Sequence, residues 1–222
     1  MCYTSDISVQ SFCIGIISSL VCIFLNHTDK EKRAGIDSDF KILGYFFIFV
    51  SFMQLFDWIF WTQSDNINKI TTKIACFFNN LQPIVLALLI YYFKQKQLQK
   101  DKTTICLVIL FTICITLYTI NGWSELTLTK VTEESKPSLY WQWNNFKYCS
   151  FVYLFFLFML CWLIYNYLNS PYNYIGVIIT ISLFLFSMYK YKGQLSTGRF
   201  WCYFAAFVPI IFVILLYLKR MA

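Results

Sequence analysis

The stretch FKILGYFFIFVSFMQLFDWIFW, residues 40–61, decides the fold. Beyond Lys41 it is almost wholly apolar and aromatic until Gln54 and Asp57. A helix that crosses the hydrocarbon core needs about 20 such residues. A strand of a membrane barrel is about half as long and alternates with period two, which this run does not do. The stretch therefore reads as a transmembrane helix. Asp57 is its exception, because an ionisable side chain at membrane depth costs roughly 2.5–3.5 kcal/mol on insertion scales unless something compensates it.

Six more runs of the same kind surround it. They cover Ser8–Leu25, Lys73–Phe93, Thr104–Ile120, Cys149–Leu168, Tyr172–Tyr189 and Phe200–Leu218. The expected fold is all-α, a single domain over residues 1–222 built as a seven-transmembrane-helix bundle. Composition agrees, since 59% of residues are hydrophobic and 13% charged, against about 25% charged in a soluble domain. The first residues carry no basic n-region and no small-residue cleavage site, so no removable signal peptide is expected. No repeat or low-complexity linker interrupts the chain. The one long loop, Asn121–Tyr148, holds Trp123, Trp141 and Trp143 and is expected to lie at the interface. Heavy use of Phe, Tyr, Ile, Asn and Lys hints at an AT-rich genome, such as that of a protist or a large DNA virus.

The net charge of +7 comes from lysines in short loops. In such a chain it reads as a topology signal and not as nucleic-acid binding. One side gathers Lys30, Lys32, Arg33, Lys41, Lys94, Lys96, Lys100, Lys102, Lys219 and Arg220. The other has Lys69, Lys73, Lys130, Lys136, Lys147, Lys190, Lys192 and Arg199. The denser side is assigned to the cytoplasm, which puts the N-terminus outside and the C-terminus inside. Asn26-His27-Thr28 is a glycosylation sequon that this orientation keeps cytoplasmic.

On that orientation the polar residues gather in the outer half. Gln54, Asp57, Trp58 and Trp61 are spaced three, four and seven apart along one stripe of the second span. The third span brings Asn79, Asn80 and Gln82 to a similar depth, followed by Pro83, which removes a backbone donor. The first span begins there with Cys2, Thr4, Ser5, Ser8 and Gln10. Trp141, Trp143, Asn144 and Asn145 precede the fifth span, and Arg199 and Trp201 stand at the seventh. The inner half reads as helices that are mostly Ile, Leu, Phe and Val and end in lysines. A polar outer cavity with Asp57 and Gln54 as its floor follows. The plainer alternatives stay open: interhelical glue for the amides, an interfacial belt for the tryptophans, and a structural ion pair of Asp57 with Arg199 or Lys73.

Several chemistries are excluded. A retinal Schiff base needs a lysine inside the last span, and Phe200–Leu218 has none. Zinc hydrolysis needs several histidines, and His27 is the only one. No Gly-rich phosphate loop, GxSxG elbow or HExxH is present. Ser–His–Asp catalysis would need His27, on the far side from Asp57. The Pro-Gln pair of small sugar transporters is absent, and Asp57 alone gives no ring of acids for a channel filter. The nine cysteines form no CxxC pair and read as apolar filler. No cofactor and no metal site is expected.

Two patterns resemble an uncharacterised family of bacterial integral membrane proteins with related members in giant viruses. One is the start, Met1-Cys2-Tyr3-Thr4 with Ser8 and Gly15, similar to that family's Met-Cys-aromatic-Ser opening. The other is Gln54, Asp57 and Trp61, similar to its Gln-x-x-Glu-x-x-x-Trp in the second helix. This chain has Asp for Glu, Met53 for a common first Gln, and Trp58 where Gly is usual. The resemblance covers roughly the first 85 residues. It implies a multi-pass fold and a Cys2 held above Asp57, and no established activity. With Met1 removed, Cys2 would be a metal ligand, a nucleophile, a lipidation site or a plain plug.

The leading functional expectation is a non-enzymatic protein that binds or conducts a small solute, ion or proton at Asp57. The bilayer is its first partner, and self-association is left open. An intramembrane lipid-modifying enzyme using Asp57 and Cys2, and a structural viral membrane protein, are the alternatives.

Overall fold

Each apolar run folds as a helix, because a chain in lipid has to satisfy its backbone hydrogen bonds internally. The computed structural model describes residues 4–126, 128–133, 136–141, 147–190 and 203–221. Its helices are α1 (Ser5–Phe24), α2 (Asp29–Arg33), α3 (Ile36–Thr62), α4 (Asp65–Leu98) and α5 (Lys102–Gly122). They continue with α6 (Cys149–Tyr167), α7 (Tyr172–Lys190) and α8 (Val208–Met221). Among the described residues, six helical stretches are long and apolar enough to cross a membrane: Ser5–Phe24, Ile36–Thr62, Asn66–Leu98, Lys102–Glu125, Cys149–Tyr167 and Tyr203–Met221. The apolar part of α7, Tyr172–Ser187, is shorter. Against the expected seven spans, six helices thus have full spanning length.

Among the boundaries that differ from the sequence reading, three shape the site and the packing around it. α3 starts at Ile36 and not at Phe40, after Gly35 turns the chain at φ 76°. α4 starts at Asp65, eight residues before Lys73. Both extra turns are polar, so hydropathy does not register them. The last helix is interrupted: Tyr203–Ala205 is helical, the chain turns at Ala206–Phe207, and α8 resumes at Val208 ahead of Pro209. Ser18 of α1 donates to the Ala206 carbonyl at 3.2 Å at this break, and Cys22 donates to the Pro209 carbonyl at 3.5 Å. The loop after α5 is not irregular throughout. A 3₁₀ turn at Trp123–Glu125 leads into an antiparallel ribbon of β1 (Leu128–Glu133) and β2 (Lys136–Trp141), pairing Leu128 with Trp141 and Glu133 with Lys136.

The helices alternate in direction. At one end, Arg220 of α8 reaches Glu31 and the Asn26 carbonyl. Lys94 of α4 meets Asp39 of α3, and Asp101, before α5, accepts from Tyr167 at the end of α6. We call this the basic end and the opposite one the Asp57 end. α3 and α4 form the centre: α3 packs on α1, α4 and α8, and α4 on α3, α5 and α6. α1 comes close to α3 because Gly44 has no side chain. A Cβ there would lie 2.7 Å from the Ser19 carbonyl and 2.6 Å from Ile23. One large core of Phe40, Phe46, Phe111, Met159, Leu163 and Phe212 fills the basic half and the middle. A smaller one of Met53, Phe60, Ala75, Cys76 and Leu126 lies toward the Asp57 end. α4 stays helical through Pro83, and its backbone irregularity lies further on, at Lys94 (φ −133°, ψ 37°).

Candidate functional site

Gln54, Asp57 and Trp61 share one face of α3, as their spacing dictates. Asp57 is 2% exposed and Gln54 1%. It lies about 8 Å before the end of its helix. The amide nitrogen of Gln54 and the indole nitrogen of Trp61 are both buried and make no hydrogen bond to any described group. Trp58, on the same stripe, is half-buried.

α1 lines the same level. Gly15 faces Ser51, Gly44 faces Ser19 and Cys22, and the Phe12 and Phe52 rings sit 5.9 Å apart. That antiparallel register sets Ser8 and Ser11 beside Asp57 and Gln54, and both serines are buried. Ser8 donates to the Thr4 carbonyl at 3.0 Å. Ser8 was a sequence candidate, and Ser11 was not.

The contribution of α4 differs from the expectation. Because α4 begins at Asp65, Asn68, Thr71 and Thr72 are the buried polar residues near Asp57's level. Thr72 donates to the Asn68 carbonyl at 2.7 Å and Asn68 to the Gln63 carbonyl at 3.3 Å. The Asn68 side-chain oxygen accepts from no described group. Asn79, Asn80 and Gln82 are also buried, yet they are not at Asp57's depth. Phe78 packs on Phe49, Phe52 and Phe56, so the turn after it lies deeper. Asn80 donates to Thr119 of α5 at 3.0 Å, which is the interhelical glue that the sequence left open. Lys73 holds its ammonium 5.3 Å from the Trp123 ring centroid. Cys2, Arg199, Trp201, Trp143, Asn144 and Asn145 lie outside the described residues, and Trp141 is described as strand backbone alone.

The basic end, expected to be mostly apolar helices ending in lysines, carries a second polar cluster. Asp39 is wholly buried. It pairs with Lys94 at 2.5 Å and accepts from the Asn169 backbone and side chain at 2.9 and 2.7 Å. Lys94 also donates to the Tyr167 carbonyl. Asp101 accepts from Thr104 at 2.6 Å and from Tyr167 at 2.9 Å. Those bonds, those to Thr104 foremost, hold its carboxyl below the usual carboxylate range. His27 is buried at this same end, with Nδ1 2.9 Å from the Leu25 carbonyl and 3.5 Å from Asp37. It is thereby set apart from Asp57. The sequence hid Asp39 because hydropathy began the helix at Phe40 and left Asp39 in a loop.

Among the described residues no three His, Cys, Asp or Glu side chains gather as a metal group. A buried carboxylate beside amide and indole donors can hold a proton, a cation or a polar solute. The fold and site together define a helical bundle of membrane-spanning composition with a cluster of buried polar residues at one end. Comparison with known protein families, curated proteins and solved structures finds no match for the chain.

Proposed function

We propose that the chain is a seven-pass integral membrane protein that binds or passes a small solute, an ion or a proton at the Asp57 end. The observation that carries this reading is the pair of buried donors, Gln54 Nε2 and Trp61 Nε1, flanking buried Asp57 on one helix face. Each buried donor left unbonded costs about 1–3 kcal/mol, so a structural role alone gives poor value for two of them. The positions that carry the resemblance to the bacterial family are the same three, Gln54, Asp57 and Trp61, which supports a shared purpose. Asp57 is the charged contact, Gln54 and Trp61 donate, and Asn68 accepts. Asn79, Asn80 and Gln82 stand deeper toward the middle of the bundle.

The alternation of α1, α3, α4, α5, α6, α7 and α8 supports seven crossings. The basic end is the cytoplasmic one, and the Asp57 end opens outward. The test is ion and proton flux into liposomes holding the purified chain. Asp57→Asn should reduce flux by about tenfold or more, the equivalent of one charged contact, while Asn80→Ala should leave it near wild type. Flux that survives Asp57→Asn overturns the reading.

A further inference from the structure

A cavity of about 580 Å³ opens between α5 and α6, distinct from the Asp57 site. Its size lies within the range of small-molecule and lipid-chain sites. Its interior is apolar, with Leu117 and Tyr118 of α5 facing Phe151 and Val152 of α6. Its mouth carries one acid and one base, Glu125 and Lys147. No ion pair joins those two among the described residues. Both are exposed, and Lys147 stands 5.0 Å over the Tyr148 ring. The mouth lies at the end of α5 and the start of α6, where the chain leaves the apolar zone. Opposite charges thus face the headgroup level above a greasy slot that runs about 17 Å toward the middle of the bundle, from Glu125 to Cys114.

We infer that this cavity binds one zwitterionic phospholipid, with an acyl chain between α5 and α6, its phosphate on Lys147 and its ammonium on Glu125. The inference rests on the chain lying in a bilayer, and not on any role for Asp57. Charge complementarity selects the occupant. An anionic headgroup would meet Lys147 favourably and Glu125 unfavourably, and a purely apolar ligand would leave both charges unused. The apolar floor supplies affinity through area removed from the competing annular lipid, and the rim supplies choice.

The experiment uses the full-length chain in detergent micelles with a phosphatidylethanolamine whose acyl chain carries a photoactivatable diazirine. Labelled peptides are mapped by mass spectrometry. Labelling should concentrate on residues 114–125 and 147–152 and be competed by unlabelled phosphatidylethanolamine about tenfold better than by phosphatidylglycerol. Glu125→Lys should reverse that preference, since two cations then face the headgroup. Val152→Trp fills the slot and leaves the rim charges in place, so it should remove labelling there while labelling elsewhere persists. Because Glu125 is exposed, its variant tests selectivity without disturbing the core. Labelling spread evenly over the apolar helices, unchanged by Val152→Trp, or indifferent to headgroup charge overturns the inference.

Discussion

Asp39 and Asp57 stand about 27 Å apart on α3, and both are buried. Their surroundings differ. Asp39 has Lys94 and two donors of Asn169 around it, which makes it a joint between α3, α4 and the α6–α7 connection. Asp57 sits among donors that bond nothing described. Breaking a buried ion pair by removing one side costs about 3–5 kcal/mol. Asp39→Asn keeps the hydrogen-bonding shape but strands the Lys94 charge, so it should cost stability of that order. Lys94→Met should cost less, because Asn169 still serves the carboxylate. The double variant should be more stable than the sum of the two losses predicts, a coupling read from thermal unfolding of all four proteins in one detergent. Additive losses would show that the pair is incidental.

At the scale of elements, the sequence shows helices wherever apolar length alone makes them. It does not show where helices are extended by caps and partners. α3 gains Ile36–Asp39 because Gly35 takes a left-handed turn beside Asn169 and Asp39 is held from across the bundle. α4 gains Asp65–Thr72, a polar start that hydropathy does not register, so Asn68 lies nearer Asp57's level and Asn79–Gln82 lie deeper than apolar length alone implies. The ribbon after α5 has too little alternation to be read in advance. The Gln54–Asp57–Trp61 face was legible because helical periodicity needs no partner to be known. The partners of Asp39 were not legible, since Lys94 and Asn169 are distant in sequence.

The short helix α2 shows how one such partner sets a pH dependence. Thr28 and Glu31 form a capping box at its start, and Arg220 grips Glu31 with two bonds of 2.9 and 2.6 Å. The Arg220 bond foremost, with those of Thr28, holds the Glu31 carboxyl down from 4.5 to about 2. A depressed carboxyl stabilises the folded state above its ordinary value and loses that contribution as the pH falls through the folded one. The docking of α8 on α2 should therefore be complete above about pH 4.5 and weaken as the pH falls toward about 2. Amide hydrogen exchange over residues 28–34 measures it. The wild type should lose protection across that window, while Arg220→Gln should start less protected and change less. Equal slopes in the two proteins would exclude the pair as the cause.

For the whole molecule, the decisive quantity is the number of crossings, because its parity fixes which sides the termini occupy. α7 is the helix in question, since its apolar part, Tyr172–Ser187, is shorter than the others. Sixteen residues of helix rise about 24 Å, short of a hydrocarbon core of about 30 Å. Its neighbours support the proposed seventh crossing. α6 ends and α7 begins at the basic end, where Asn169 is fixed to Asp39. α8 finishes at that same end, where Arg220 holds Glu31. The chain between them has to return from the opposite end, and α7 is the described element that makes the climb. A modest mismatch of this kind is absorbed by local thinning of the bilayer and by snorkelling of flanking side chains such as Tyr189, at a fraction of a kcal/mol per Å. The proposed seven crossings put the start of α1 and the end of α8 on opposite faces. Protease protection in sealed vesicles should cut an N-terminal tag and a C-terminal tag from opposite sides. The Asn26 sequon, its carbonyl bonded to Arg220, should stay unmodified in glycosylating microsomes, whereas a sequon placed at Gln63–Asp65 should be modified. Both tags cut from one side would reduce the bundle to an even number of crossings and place α7 along the membrane surface.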